Sequence, residues 1–110
     1  MNELIEQLFV DFIIPVSFLF YDGNSDDYVT YQQTDSDNVL AADNQIRNWV
    51  DYYDFDIYAK GNYLSYVAAI IEILTNAGFI LQPSRCSGDM YEKETKYYHK
   101  TLCFAHERSI

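Results

Sequence analysis

Residues 48–79 read NWVDYYDFDIYAKGNYLSYVAAIIEILTNAGF, and this stretch decides the fold. From Asn48 to Tyr58 the odd positions Trp49, Tyr53, Phe55 and Ile57 form an apolar face interrupted by Asp51, the two-residue period of a strand. The even positions Val50, Tyr52, Asp54, Asp56 and Tyr58 make a second face of aromatics and acids. A strand with aromatics on both sides is either covered on both or keeps one side for a partner.

The period then changes. Ala59-Lys60-Gly61-Asn62 breaks the strand, and Asn62 is placed to cap a helix through its side-chain oxygen. Leu64, Val67, Ala68, Ile71 and Leu74 recur at three- and four-residue spacing, widened by Ile70 and Ile73, so a helix is expected over about 62–77. Gly78 suits the left-handed position behind it, and Phe79 the apolar contact of a Schellman cap.

Upstream, Leu4, Ile5, Leu8, Phe9 and Phe12 predict a short amphipathic helix over 3–12, with Asn2 as its cap and Pro15 as its stop. Val16, Phe18 and Phe20 alternate as a strand that runs into the turn formers Asp22-Gly23-Asn24-Ser25. Tyr28–Gln33 reads as a second strand, expected to pair with the first as an antiparallel hairpin. Residues 34–47, TDSDNVLAADNQIR, read as a projecting loop or strand extension; loops of this length inside a domain usually carry a task.

Downstream, Phe79–Gln82 enters a further strand, and Met90–Lys93 and Tyr97–His106 form a second hairpin around Glu94-Thr95-Lys96. The expected class is α+β, a mainly antiparallel sheet packed by two helices in the order α-β-β-β-α-β-β. With 110 residues the chain fits one domain over 1–110.

Composition narrows the function. Seven Lys plus Arg against seventeen Asp plus Glu leave a net charge of −10, which argues against a chain that grips phosphate backbones with clustered cations. The basic residues concentrate around Arg85, Lys93, Lys96, Lys100 and Arg108. Eleven Tyr and seven Phe exceed what one small core needs and favour surfaces buried on association. The acidic start MNELIEQL is unlike a signal peptide, and no apolar run approaches the roughly 18 residues of a membrane span, so a cytosolic product without a membrane partner is expected.

No catalytic or cofactor constellation emerges. Asp54 and Asp56 would project from one strand face about 7 Å apart, a spacing open to a metal but equally that of a solvated acidic face. Asp35-Ser36-Asp37-Asn38 opens like a calcium loop, yet Leu40 and Ile46 stand where its Gly and Glu belong. His99 and Cys103 are roughly 13 Å apart on a strand, too far to share zinc. Cys86 comes close to facing Cys103, near enough for a disulfide, although free thiols are the expectation in a reducing compartment. No Gly-x-Ser-x-Gly elbow is present.

The run WVDYYDFDIYAKGNY, the helix ending LTNAGF and the segment YEKETKYYHKTLCFAHE together resemble the tail completion, or tail terminator, proteins of siphophages and prophages. The resemblance covers about 28–107 and rests on packing motifs. It implies a non-enzymatic virion protein without metal or cofactor, made in the host cytoplasm. Such proteins form a hexameric ring at the head-proximal end of the tail tube. The ring touches the tail tube protein and the head-tail connector, and DNA passes through its lumen without specific binding. The residues expected at the subunit or partner interface are Tyr52, Asp54, Asp56 and Tyr58 on the second strand face, with Asp35, Asp37 and Asp43 from the projecting segment. An acidic DNA-mimic inhibitor and another connector or neck protein are the competing expectations.

Overall fold

A computed structural model describes residues 2–40 and 46–109. Its elements are α1 (Asn2–Leu8), β1 (Val16–Phe18), β2 (Tyr28–Leu40), β3 (Ile46–Ala59), α2 (Leu64–Asn76), β4 (Ile80–Leu81), a 3-10 turn (Pro83–Arg85), β5 (Met90–Glu92) and β6 (Tyr97–Ser109). The strands form one sheet in the order β1-β2-β3-β6-β4, with β5 also paired to β6. This is the α+β arrangement expected, mainly antiparallel and packed by two helices.

The alternation of β3 is visible in its burial. Every odd position from Asp51 to Ala59 is buried and every even one is half-buried. Tyr53, Phe55 and Ile57 therefore meet the helices, packing with Ile5, Phe9, Ile70, Leu74 and Phe79 in one apolar core. From the strands on either side, Val29, Tyr31, Leu102 and Phe104 complete it. Burial at roughly 25 cal/mol per Å² of apolar surface is what makes this side of the sheet the stable one.

α2 begins two residues later than expected, with Tyr63 at its N-cap position in place of Asn62, although Asn62 still serves the first turn. The Leu64 N–H donates to Oδ1 of Asn62 at 3.0 Å. At the other end Gly78 adopts φ +95°, Phe79 N–H donates to Leu74 O at 2.9 Å and Gly78 N–H to Thr75 O at 3.1 Å. These two bonds are the complete Schellman pattern.

Two expectations are corrected. The first two strands do not form an antiparallel hairpin: β1 runs parallel to β2, with Val16 opposite Val29 and Phe18 opposite Tyr31. Leu19 takes a left-handed conformation (φ 69°), and its N–H still bonds Tyr31 O, so the strand ends there and the chain turns back toward the start of β2. The Asp22–Ser25 turn formers lie within this return. The first helix closes at Leu8 instead of residue 12, because three-residue turns from Gln7 to Val10 and from Phe9 to Phe12 tighten the chain and bring Phe9 within 6.0 Å of Phe55.

Of the two readings of 34–47, the strand extension is what forms over the described residues, and the projecting loop is not. Residues 34–40 and 46–47 are strand, not loop; Asp35 pairs with Tyr52, Asp37 with Val50 and Val39 with Asn48. β6 accompanies this ribbon as far as the pair Asn48 and Ser109. Their backbone pairing outweighs the weak strand preference of Asp, Ser and Asn, and it draws the molecule out to 53 × 27 × 22 Å.

Candidate functional site

The second sheet face, the side away from both helices, is built from three strands in register. Tyr28, Thr30 and Gln32 of β2 lie opposite Tyr58, Asp56 and Asp54 of β3, which lie opposite His99, Thr101 and Cys103 of β6. A bulge between Gln33 and Asp35 shifts the β2 alternation by one residue. The extra residue puts Asp35 and Asp37 beside Tyr52 and Val50, on the same face as the other acids.

At one end the face is aromatic. Tyr21, Tyr28, Tyr58 and His99 form a continuous stack with ring centroids 4.7, 4.9 and 4.3 Å apart. Tyr97 sets its edge against Tyr28 and Tyr58, with the Lys60 ammonium 3.9 Å above its ring. A Cβ at Gly23 would meet the end of the Tyr21 ring, so a larger residue there would have to shift Tyr21 from the stack. Burial, then the neighbouring Asp56 carboxylate, pushes the Tyr58 hydroxyl up to about 12. A hollow of about 400 Å³ opens over Tyr28, Thr30 and Tyr58, walled by Leu19, Phe20 and Glu92.

In the middle lie the paired acids. Asp56 accepts a hydrogen bond from Oγ1 of Thr101 at 2.5 Å and sits 3.3 Å from Nε2 of His99. Asp54 is held above the usual carboxylate range mainly by burial; the Cys103 thiol bonded to it acts the other way, Asp56 adds to the rise and Arg85 opposes it. The Cys103 thiol is pushed up to about 11 by burial first and by Asp54 second, so it is a protonated donor, not a nucleophile. Cys86 Sγ accepts the Cys103 N–H at 3.3 Å, and both cysteines are free thiols.

Toward the ribbon, Tyr52 and Asp35 are joined by Arg85. Its guanidinium lies 3.9 Å over the Tyr52 ring and 3.8 Å from the Asp35 carboxylate. Asp37 is exposed farther out. Asp43 lies outside the described residues. From Asp37, level with Val50, to Tyr58 the strip runs about 27 Å at 3.4 Å per residue. It is a surface and not a pocket.

The structure thus unites Tyr52 with Asp35, and Asp54, Asp56 and Tyr58 with one another. It also adds Arg85, Thr101, Cys103, His99 and the Tyr21–Tyr28 stack. Arg85 could not be placed from sequence, because a 3-10 turn distant in the chain delivers it. The β6 residues follow once Tyr58 is aligned with His99. Among the described residues no group of three His, Cys, Asp or Glu side chains is disposed to hold a metal ion, and no helix is long and apolar enough to cross a membrane. His106 lies on the opposite face from His99, its ring 4.6 Å from that of Phe79.

No family model matches the chain, and no curated protein matches it either.

Proposed function

We propose that this chain is a structural protein of a long-tailed bacteriophage, closing as a hexameric ring at the head-proximal end of the tail tube. There it ends the tail and joins it to the head connector. The observation that carries the reading is the acid-and-tyrosine strip from Asp37 to Tyr58, which lies on the sheet face away from both α-helices. An extended strip of this kind suits contact with another protein surface better than it suits a small molecule.

The resemblance of the sequence over residues 28–107 to tail terminators is a second support for the reading. The charge of −10 supports it further, since an acidic lumen lets DNA pass without adhesion. Within the strip, exposed Asp35 and Asp37, with Tyr52 under Arg85 beside them, are the groups best placed to meet the tail tube protein or the connector. Asp54, Asp56 and Tyr58 are engaged inside the chain and hold the face in shape. The reading makes the protein a component of the virion, at the head-tail interface, with no catalytic role.

The test is electron microscopy of the purified chain alone and mixed with purified tail tubes. Rings seated at one end of the tubes are expected. A chain that leaves the tubes bare, and instead binds a nuclease or polymerase as a monomer, would replace this reading with that of a DNA mimic.

A further inference from the structure

The sheet ends in two apolar edges of unlike charge. At the β1 edge Val10 and Ile13 are 76% and 80% exposed, and with Pro15 and Val16 they line a groove of about 490 Å³ rimmed by Glu6. At the opposite edge Leu64 is 62% exposed, and Tyr91 and Tyr98 are exposed with their rings 4.9 Å apart. Leu64 and Tyr98 share a hollow of about 430 Å³ with Lys60 and Asp89. Apolar groups gathered at open sheet edges mark contact surfaces.

Charge says what each edge meets. Residues 1–16 carry three acids and no Lys or Arg, whereas residues 90–100 carry three lysines and two acids, Glu92 and Glu94, in a chain that is acidic overall. Glu3, Glu6 and Asp11 are exposed on the first edge, and Lys93 and Lys96 on the tip of the β5–β6 hairpin at the second. Pairing the first edge with itself sets acid against acid. Pairing it with the second gives those acids lysines to meet, Lys93 and Lys96, around two apolar patches.

We propose that these edges are the two halves of one head-to-tail contact between copies of this chain, the α1–β1 edge of one copy seating on the β5–β6 hairpin of the next. The inference rests on the reading of the chain as a ring-forming assembly protein and names the surfaces that form the ring. Val16, Val29, Ile57 and Lys100 lie in one row across the sheet, and Tyr98 is two residues from that row. The edges are therefore nearly level, about 19 Å apart across four strand spacings. Copies added side by side therefore climb little, as a closed ring requires.

The experiment is sedimentation velocity on the full chain and two variants, Val10→Lys/Ile13→Lys and Leu64→Asp/Tyr91→Asp, each checked for native circular dichroism. The wild type is expected to sediment as an oligomer and each variant as a monomer. An equimolar mixture of the two variants is expected to sediment as a dimer, because one intact edge from each still meets the other. Should a charged variant unfold, the corresponding Ser replacements serve in its place. A monomeric wild type, a variant that keeps the wild-type size, or a mixture that stays monomeric overturns the proposal.

The two readings fail differently. Rings on tail tubes that persist in both variants overturn the edges and leave the tail role standing. Variants that behave as expected, from a wild type that never binds tail tubes, leave the edges standing and overturn the tail role.

Discussion

Arg108 Nε donates to Oδ2 of Asp51 at 2.7 Å, across β3 and β6, and this pair explains why an acid interrupts the apolar face of β3. Asp51 is 3% exposed and also accepts from Ser36 Oγ at 2.7 Å, so its charge is held from both neighbouring strands. The Arg108 guanidinium lies 5.5 Å over the Trp49 ring, half in solvent.

Removing Arg108 leaves a buried carboxylate with one partner. Stranding a buried charge costs about 3–5 kcal/mol, and the outward half of the pair reduces that here. Arg108→Ala is expected to destabilise by about 2 kcal/mol, and Asp51→Asn/Arg108→Ala by less than the two single changes added. Urea unfolding of the three variants measures this; strictly additive losses would mean that the pair is not coupled.

Gly78 provides a backbone test. A Cβ there meets nothing within 4 Å, so the cost of Gly78→Ala is conformational alone, that of an L residue at φ +95°. A loss of about 1–2 kcal/mol is expected. An unchanged urea midpoint would show that the Schellman turn opens without penalty.

What the sequence disclosed and what it concealed divide along locality. β3, α2 and its caps and the second hairpin are written in neighbouring residues, so period and turn chemistry suffice. The parallel direction of β1 depends on Leu19 turning left-handed while bonded to Tyr31, which no turn former announces. The sequence through Asp35, Ser36 and Asp37 leaves loop and strand extension both open, because what stabilises the strand there comes from its partner strands. Within the site, Asp54, Asp56 and Tyr58 followed from alternation. Asp35 joined Tyr52 only through the bulge after Gln33 and the reach of Arg85, both tertiary events.

Tyr31 carries a polar group its surroundings do not serve. The residue is 1% exposed, stacked on Phe55 at 5.6 Å, and among the described residues its hydroxyl has no hydrogen-bond partner. A buried unpaired hydroxyl costs about 1–3 kcal/mol. Tyr31→Phe removes the hydroxyl and keeps the ring, and is expected to stabilise by about 1 kcal/mol. A lower melting temperature in this variant would show that the hydroxyl has a partner in solution.

Asp54 links the strip to pH. Burial, the largest influence on it, raises its pKa above the ordinary carboxylate value. The folded chain therefore holds this proton more tightly than the unfolded chain does. Stability from that source is present in full below the unfolded pKa, and is lost as pH rises through that value to the folded one. Asp54→Asn cannot ionise and still offers an oxygen to the Cys103 thiol. Its melting temperature relative to wild type is expected to climb across the acid range and to level off, above wild type, at neutral pH. If the two chains instead follow parallel curves from acid to neutral, Asp54 is not the group that titrates, and the desolvated acid of the strip must be sought elsewhere on β3.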